Sequence, residues 1–463
     1  MRRTKIIATI GPKTESEGMM AKLAKAGMNI GRINMSHGTP EWTANIIRRL
    51  RKVSQSMQFP IGIMIDTTGP EIRTSATEYG LEAGELFKIA VSSACDIQEG
   101  EKHTFIDYQN LIKKVKKKDI LTIDNGLIAL EVLDIQPFHI MCRVLNKGSL
   151  GKRKSINMPG IRTDLPSVTK KDIQDLKIAA KHGVDYVAQS FVRRKEDIRQ
   201  MRKLLEQFHS NAMVIAKIED QEGVDNMNEI INEADGIMVA RGDLGVEIPI
   251  EEIPLVQKTM VDKCIEAGKP VIIATHLLES MIVNPRPTRA EVTDVANAVF
   301  QKADCIMLSG ETTKGEYPVE CVDTMHVVTK NVQKNLQFDA GRLKTKDVRE
   351  AITFGACINA EYLDAKAIIV FSKTGKLLSL VAKRRPNVDI FVFTDSNDVK
   401  RRLMIYWGTF PFTINFSENY ELMAKNAIGI LKSKKLLIEG DRVLLVSDVN
   451  PRKNIEILEI REI

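Results

Sequence analysis

The chain has 463 residues, of which 43% are hydrophobic and 27% are charged, and its formal net charge is +7. This composition is typical of a folded globular protein, the length predicts two to four domains, and the lack of a long apolar run argues against a membrane protein. Aromatic residues make up only 5% of the chain, and the positive charge is small for this length. We therefore expect anionic small molecules, and no nucleic acid, as partners.

The cysteines also limit the class of protein. Six of them are scattered along the chain without any C-x-x-C spacing. This argues against a zinc site or a disulfide framework and favours a reducing compartment. The first residues lead directly into a strand-like segment at Ile6–Ile10, so we expect no signal peptide and a soluble, cytoplasmic protein.

The first part of the chain alternates between strand-like and helix-like segments. Strands are predicted at Lys5–Ile10, Asn29–Met35 and Ile61–Asp66, with helices at Ser16–Ala26 and Pro40–Ser56 between them. The alternation then stops, and residues 74–157 hold short segments separated by Gly, Asp-Asn-Gly and Asn-Lys-Gly turns. These segments predict a small β-rich insert with strands at Glu85–Val91, His103–Asp107, Ile120–Ile123, Leu127–Ile135 and His139–Leu145.

The strand and helix alternation resumes after Pro159-Gly160. The predicted helices are Lys170–His182, Lys195–Phe208, Ile253–Ala267 and Ala290–Gln301, and Gln221–Ala234 has room for one more. The predicted strands are Tyr186–Phe191, Met213–Ile218, Gly236–Ala240, Val271–Thr275 and Cys305–Leu308. About eight strands outside the insert, each followed by a helix, predict a (β/α)₈ TIM barrel. An open doubly wound sheet is the rival architecture.

The remainder of the chain reads as a separate α/β unit. Strands are predicted near Ala367–Phe371, Ile390–Phe393 and Val443–Val446. We therefore predict three domains in an α/β protein: the barrel at residues 1–73 and 158–330, the β-rich insert at 74–157, and a C-terminal α/β domain at 331–463.

Charge is concentrated at the ends of two predicted strands in the middle of the chain. Lys217 and Glu219 alternate along one strand, so they project from the same side about 7 Å apart. Asp243 follows the next strand, within Arg241-Gly242-Asp243. An ammonium and two carboxylates at one barrel edge suit a divalent metal that carries a phosphate. For this cluster alone, the alternative is a structural salt bridge.

Other predicted strands also end in polar residues, and in a barrel these ends converge. The residues are Arg32, Asn34, Ser36, Asp66, Thr67, Ser190, Thr275 and Glu311. For any single strand, the alternative is a solvated polar face. Asn34, Ser36, Asp66 and the Thr67 carbonyl are hard oxygen donors with one charge, which suits a monovalent cation. Glu219 and Asp243 suit Mg²⁺, and Lys217 and Arg32 offer positive charge to a phosphoryl group in transit.

Neither a G-x-x-x-x-G-K-[ST] motif nor a strand-borne G-x-G-x-x-G motif is present, so any nucleotide binds in another way. Sequence blocks between Lys5 and about Val446 nevertheless resemble the pyruvate kinase family. They include TKIIATIGPKT, GMNIGRINMSHG, DTTGPEIRT, DNGLI, LPSVTKKD, AKIEDQEG, DGIMVARGDLGVEIP, NPRPTRAEVTDVANAV and MLSGETTKGEYP. The resemblance implies a barrel with a lid inserted after strand three, a C-terminal regulatory domain, and a homotetramer. It also implies phosphate transfer from phosphoenolpyruvate to ADP, which gives pyruvate and ATP.

The resemblance implies roles for individual residues. Lys217 is similar to the family's transition-state lysine, and Thr275 corresponds to a residue near the carbon that is protonated. The implied catalytic residues are Lys217, Arg32 and Thr275, and the implied substrate contacts are Arg32, Lys217, Gly242, Asp243 and Thr275. The implied metal ligands are Glu219 and Asp243 for Mg²⁺ (or Mn²⁺), and Asn34, Ser36, Asp66 and Thr67 for K⁺. The implied nucleotide contacts are Asn34, Ser36, His37, Arg73 and Lys154.

Some positions bear on K⁺ dependence and affinity. Glu71 and Thr74 resemble the K⁺-dependent members, because K⁺-independent members usually carry Lys at the Glu71 position. Three residues depart from the family pattern: Thr68 replaces a usual Lys, Asn125 a frequent Asp, and His276 a usual Gln.

The C-terminal domain contains a possible effector site. Ser372, Lys373, Thr374, Gly375 and Lys376 open a predicted helix at Leu377–Arg384 and resemble the family's sugar-phosphate pocket. The Gly-rich loop that completes that pocket is replaced by residues 448–453. The alternatives are therefore fructose 1,6-bisphosphate, a different sugar-phosphate or nucleotide effector, a remnant site, or a simple Ser/Thr helix cap.

Other classes of function remain as alternatives to the enzyme. A non-catalytic sensor of phosphometabolites would have lost a catalytic residue, and none of those above is lost. Another barrel enzyme that uses phosphoenolpyruvate or pyruvate would lack the insert and the C-terminal domain. A basic nucleic-acid binder fits the composition least well.

Overall fold

The computed structural model describes residues 1–339, 344–448 and 457–463. The chain begins with β1 (Lys5–Thr9), α1 (Glu17–Ala26), β2 (Ile30–Asn34), α2 (Pro40–Gln55) and β3 (Gly62–Asp66). The side chains of Ser16 and Thr39 accept hydrogen bonds from the first turns of α1 and α2, which satisfies backbone donors that have no partner within the helix. The first five predicted elements are therefore present, with their ends displaced by one residue.

The insert follows β3 and is built from short strands. Its elements are β4 (Tyr79–Leu81), β5 (Leu86–Ala90), β6 (His103–Phe105), α3 (Leu111–Lys114), β7 (Ile120–Ile123), β8 (Ile128–Ile135), β9 (His139–Val144), β10 (Gly148–Leu150) and β11 (Ile156–Asn157). One sheet has the order β11-β7-β8-β9-β5-β6, and β10 pairs with β4. All five predicted strands are present, and β4, β10 and β11 were missed because each has only two or three residues.

The second part of the barrel contains five strands and most of the helices. Its elements are α4 (Lys170–His182), β12 (Tyr186–Gln189), α5 (Lys195–Gln207), β13 (Met213–Ile218), α6 (Gln221–Asp225), α7 (Met227–Glu233), β14 (Gly236–Ala240), α8 (Arg241–Glu247), α9 (Ile253–Ala267), β15 (Val271–Ala274), α10 (Arg289–Phe300), β16 (Cys305–Leu308), α11 (Gly310–Thr313) and α12 (Pro318–Val332). Short 3₁₀ turns lie at Ile250–Glu252, Glu279–Ile282 and Gln333–Asn335. The strands close in the order β1-β16-β15-β14-β13-β12-β3-β2, so the predicted barrel is confirmed and an open sheet is excluded.

One local prediction in this part is wrong, and one short helix was not predicted. The segment Gln221–Ala234 forms two short helices, because Asn226 leaves the helical conformation and its side-chain amide donates to the Arg193 carbonyl at 2.9 Å. The strand β14 ends at Ala240 as predicted, and Arg241–Asp243 form the first turn of α8, a short helix that was not predicted. This places the Asp243 side chain on a helix that begins directly at the strand end.

The C-terminal domain is a five-stranded sheet with helices. Its elements are α13 (Val348–Tyr362), β17 (Ala367–Phe371), α14 (Lys376–Ala382), β18 (Asp389–Thr394), α15 (Asn397–Arg402), a 3₁₀ turn at Leu403–Ile405, β19 (Thr409–Thr413), α16 (Tyr420–Ser433), β20 (Arg442–Ser447) and β21 (Ile457–Glu462). The order is β19-β18-β17-β20-β21, so both strands missed by the sequence analysis are edge strands. β19 was not predicted because it contains Pro411, and β21 was not predicted because charged residues alternate along it.

Apolar side chains fill the barrel and join it to the C-terminal domain. Within the barrel, Ile7, Tyr186 and Met238 are fully buried. Met404 and Ile405, from the 3₁₀ turn of the C-terminal domain, pack into the same cluster and close the barrel at the amino-terminal ends of its strands. The opposite end stays free for polar groups. No helix among the described residues has the length and apolarity needed to cross a membrane.

Candidate active site

Polar side chains from several barrel strands meet at the carboxyl-terminal ends of those strands. β2 and β3 lie side by side with Asn34 opposite Asp66, and β3 is followed in the barrel by β12 and β13. Arg32 of β2, Asp66 of β3 and Lys217 of β13 are all buried. The convergence expected from the strand period therefore occurs for these residues.

Lys217 lies at the centre of this group. Its Nζ lies 2.7 Å from Ser190 Oγ, 3.0 Å from Asp66 Oδ1 and 2.8 Å from Glu219 Oε1. Burial opposes a charged ammonium, but the carboxylates of Asp66 and Glu219 outweigh it and hold the pKa of Lys217 above its usual value. Lys217 is therefore a permanent positive charge in a fixed position.

Asp66 connects the two cations of the site. Arg32 Nε donates to Asp66 Oδ2 at 2.7 Å, and Arg32 Nη1 donates to Thr9 Oγ1 at 2.9 Å. Although burial alone raises the pKa of Asp66, the adjacent Arg32 and Lys217 lower it below its usual value. The ionised carboxylate thus holds the guanidinium and the ammonium on the same side of the barrel mouth, which preorganises their charge.

Glu219 and Asp243 form the acidic part of the site. Glu219 is 2% exposed, and its Oε2 accepts a hydrogen bond from the Phe191 amide at 2.7 Å. Burial and the nearby Asp243 together raise the pKa of Glu219 above its usual value, despite the opposing charge of Lys217. A carboxylate whose ionisation is disfavoured by a second carboxylate nearby fits a divalent cation, which would offset that repulsion.

Protein side chains alone do not complete a metal shell here. In residues 1–339, 344–448 and 457–463, no group of three or more His, Cys, Asp and Glu side chains is placed to hold a metal ion. A site with two carboxylates leaves positions for substrate oxygens and water, as Mg²⁺ commonly requires in phosphate chemistry.

The oxygen donors predicted to bind a monovalent cation lie at the ends of β2 and β3. Asn34 Oδ1 accepts from the Ser36 amide at 3.1 Å, and the Thr67 carbonyl accepts from Ser190 Oγ at 2.7 Å. The hydroxyls of Ser36 and Thr68 lie 3.5 Å apart. These neutral oxygens beside one carboxylate fit a weakly held cation, because the charge of Asp66 is already shared with two basic side chains.

Thr275 adopts an uncommon backbone conformation directly after β15. Its φ is 66°, in the left-handed region that a β-branched residue rarely occupies. Its Oγ1 accepts from the Gly242 amide at 2.7 Å and donates to the Ala274 carbonyl at 2.6 Å. Thr275 therefore fixes the start of α8, which carries Asp243.

A cleft of about 410 Å³ opens between the insert and the barrel. Arg73, Asp124 and Lys154 line one side, and Asp243 and Glu247 line the other. Lys154 pairs with Asp124 at 2.9 Å, and Arg73 donates to the Arg153 carbonyl at 2.9 Å. Of the predicted nucleotide contacts, Arg73 and Lys154 line this cleft, whereas Asn34, Ser36 and His37 lie at the end of β2 and in the turn after it.

The predicted effector loop lies in the C-terminal domain, between β17 and α14. Ser372 Oγ accepts from the Gly375 amide at 3.2 Å, and Thr374 Oγ1 accepts from the Lys376 amide at 3.3 Å. Gly375 has φ 87°, and a Cβ there would collide with Leu403. The alternative of a simple Ser/Thr helix cap does not hold, because the N-cap of α14 is Gly375. Apart from Asp448, the predicted replacement segment 448–453 lies outside the described residues.

One predicted member of the polar cluster has another role. The carboxylate of Glu311 lies in α11 and accepts hydrogen bonds from the backbone amides of Leu278 and Ser309, at 3.2 and 2.8 Å. These two hydrogen bonds hold the loops after β15 and β16 in place. Glu311 therefore lies at the end of strand eight, as expected, but its carboxylate is bound to backbone amides.

Sequence reasoning missed three contributors to the site. These are Thr9, which orients Arg32, the Phe191 amide, which holds Glu219, and Asp172, which accepts from the Thr68 amide at 3.0 Å. Asp172 had a detectable signal, because Thr169 and Asp172 form a capping box at α4. The other two act through long-range contacts for which the sequence carries no local signal.

Comparisons with known proteins agree with this geometry. The family described as "Pyruvate kinase, barrel domain" matches residues 1–322, and "Pyruvate kinase, alpha/beta domain" matches residues 350–460. Proteins named pyruvate kinase from Staphylococcus aureus strains MRSA252, bovine RF122 / ET3-1 and USA300 are each 39% identical over 456 residues. The alignment covers 97% of this chain and 78% of each relative. The chain therefore belongs to the pyruvate kinase family and is a phosphotransferase enzyme.

Proposed function

We propose that this enzyme transfers the phosphoryl group of phosphoenolpyruvate to ADP, giving pyruvate and ATP in the last step of glycolysis. The observation that carries the proposal is the arrangement of Arg32 and Lys217 around Asp66, beside Glu219, at the mouth of the barrel. Two fixed cations next to a pair of carboxylates suit an anion that is bound together with a metal ion.

In this reaction the bond between the enol oxygen and phosphorus breaks, and a bond between phosphorus and the terminal phosphate oxygen of ADP forms. Lys217 and Arg32 stabilise the negative charge on the phosphoryl oxygens during the transfer. The enolate that remains takes one proton at its methylene carbon to give pyruvate. Thr275 and Gly242, which are joined by a hydrogen bond, are the proposed substrate contacts on this side of the barrel mouth. Thr275 acts near the carbon that is protonated.

The proposed cofactors follow from the oxygen donors. Glu219 and Asp243 hold Mg²⁺ (or Mn²⁺), and Asn34, Ser36, Asp66 and Thr67 hold K⁺. When bound, the divalent ion supplies positive charge to the phosphoryl oxygens, and the monovalent ion adds to it. The chain's own contribution is to fix Glu219, Asp66 and Asn34 through hydrogen bonds to its backbone and basic side chains.

The cleft beside the insert is the proposed site for the nucleotide. Arg73 and Lys154 lie on the side of the cleft facing Asp243, so their charges support binding of a polyphosphate. Closure of the insert over the barrel would exclude water from the transfer.

We also propose a homotetramer in the cytoplasm, domain boundaries near residues 73, 157 and 330, and binding of an effector phosphate by the loop Ser372–Lys376.

A coupled assay with lactate dehydrogenase tests the reaction. Purified protein, phosphoenolpyruvate, ADP, Mg²⁺ and K⁺ should consume NADH at a rate proportional to enzyme concentration. A parallel assay with K⁺ replaced by a tetraalkylammonium salt should be markedly slower. Absence of pyruvate in the complete mixture would refute the proposed function, whereas equal rates in the two salts would refute only the K⁺ site.

A further inference from the structure

A second cleft, of about 520 Å³, lies between the barrel and the C-terminal domain. One wall comes from the end of α2 and the loop after it, and includes Arg51. The other wall comes from α15, β19 and the end of α16, and includes Lys400, Arg401 and Lys434. It shares no lining residue with the cleft described above or with the loop Ser372–Lys376.

The charges that line this cleft are all positive. Arg51 and Arg401 share one buried carboxylate: Arg51 Nη1 lies 2.8 Å from Asp185 Oδ2, and Arg401 Nε lies 2.9 Å from Asp185 Oδ1. Asp398 also pairs with Arg401. These two carboxylates balance the two arginines, and both lie outside the lining of the cleft.

Lys400 and Lys434 are left without compensation. Among the residues that the structure describes, neither ammonium has a hydrogen-bond or ion-pair partner, and no acidic side chain lines the cleft. Burial lowers the pKa of Lys400, and the neighbouring Arg401 and Lys434 lower it further. Placing like charges together in a concave, partly buried site destabilises the empty protein, and a bound anion would remove that cost.

We propose that this cleft binds a small phosphomonoester. A phosphomonoester carries close to two negative charges near neutral pH, which matches the two uncompensated lysines. The remaining lining fits an organic body, because Met57, Pro411 and Phe412 offer apolar contact and Gln58 offers hydrogen bonds. The cleft is also large enough for more than a bare phosphate ion.

The position of the cleft indicates what binding would do. Lys400 and Arg401 lie in the last turn of α15, and the 3₁₀ turn that follows this helix carries Met404 and Ile405 into the base of the barrel. Tyr186 of β12 donates its hydroxyl to the Arg401 carbonyl at 2.9 Å. A ligand held by both walls would therefore tie the C-terminal domain to the barrel. This inference does not depend on the reaction proposed above.

Calorimetric titration of the full chain, without substrates and at constant ionic strength, tests the proposal. Ribose 5-phosphate is the probe, inorganic phosphate is the second probe, and ribose is the uncharged control. The double variant Lys400→Gln/Lys434→Gln should bind ribose 5-phosphate at least tenfold more weakly than the wild type. The matched variant Lys425→Gln/Lys435→Gln removes the same charge from α16 and the residues after it but outside the cleft, and should bind as the wild type does.

Comparing the affinities of the two probes shows whether the cleft prefers an organic phosphomonoester or inorganic phosphate. Tighter binding of ribose 5-phosphate than of inorganic phosphate supports an organic phosphomonoester, while equal affinities would overturn the organic part of the proposal. Equal affinity of both double variants for ribose 5-phosphate would overturn the site itself. The melting temperature of ligand-free Lys400→Gln/Lys434→Gln should equal or exceed that of the wild type, because repulsion is relieved. A lower value would contradict the charge argument.

Discussion

Buried charges lie at both ends of the barrel, but their partners differ. At the amino-terminal end, Asp304 accepts four hydrogen bonds: two from Arg385, at 3.1 and 2.5 Å, and one each from the backbone amides of Trp407 and Val271, at 2.8 and 3.0 Å. At the carboxyl-terminal end, Glu219 pairs with Lys217 and is influenced by the charge of Asp243, which lines the cleft between the insert and the barrel.

The difference separates structural charge from functional charge. The Asp304 carboxylate is fully satisfied by the protein, and its partners join the barrel to the C-terminal domain. The group around Lys217 contains two cations and three carboxylates, and one of the carboxylates, Asp243, also lines the open cleft. A buried cluster whose members satisfy one another stabilises the fold, whereas one that remains unbalanced is available to bind a ligand.

The largest expected effect is at the carboxyl-terminal end. Lys217→Ala should lower kcat on the order of 10³-fold, about 4 kcal/mol, because it removes preorganised positive charge. The coupled assay measures it, and Lys203→Ala, at an exposed position of α5, is the matched control. Turnover within threefold of the wild type would remove Lys217 from its proposed role.

At the amino-terminal end the same kind of change should affect stability instead. Asp304→Asn should lower the free energy of unfolding by about 3 kcal/mol, because it leaves the buried Arg385 guanidinium without a counter-charge. Urea denaturation measures this effect. The double variant Asp304→Asn/Arg385→Met should be less destabilised than the single one, and kcat of the folded enzyme should be unchanged. A large loss of kcat with normal stability would show that Asp304 has a functional and not a structural role.

Lys5, at the amino-terminal end of the barrel, should make the free energy of unfolding depend on pH. Its Nζ donates to the Thr409 carbonyl at 2.6 Å, and burial, with Arg2 nearby, lowers its pKa to about 7. Between pH 7 and the ordinary lysine pKa, the unfolded chain binds more protons, so the lysine makes stability rise with pH by up to about 1.4 kcal/mol per unit. Urea unfolding of the wild type and Lys5→Met between pH 7 and 9 isolates this contribution. Parallel curves for the two proteins would show that Lys5 keeps an ordinary pKa.

The smallest expected effect concerns the hydroxyl that fixes α8. Thr275→Val leaves the Gly242 amide without its acceptor and should lower kcat about tenfold, equivalent to about 1.4 kcal/mol, by displacing the helix that carries Asp243. Thr275→Ser keeps the hydroxyl and is the control. If both variants have the kcat of the wild type, Thr275 does not position this part of the site.

Much of the site followed from the strand period. Lys217 and Glu219 were expected on one side of a strand, and their charged groups lie 2.8 Å apart. Arg32 and Asp66 were expected at the same barrel edge, and they form a hydrogen bond. The partners of Glu311 could not be predicted, because an acidic residue at a strand end has the same sequence signal whether it faces a substrate or two backbone amides.

The sequence by itself determined the eight strand and helix repeats, the β-rich insert and the polar strand ends, because these depend on local periodicity and turn residues. Only the tertiary structure decided which charges are balanced. Asp304 meets Arg385 across 81 residues, Glu219 meets the Phe191 amide across 28, and Lys400 and Lys434 line the same wall of a cleft between domains. Such contacts are set by how the elements pack, and no local pattern records whether a buried charge will find a partner there.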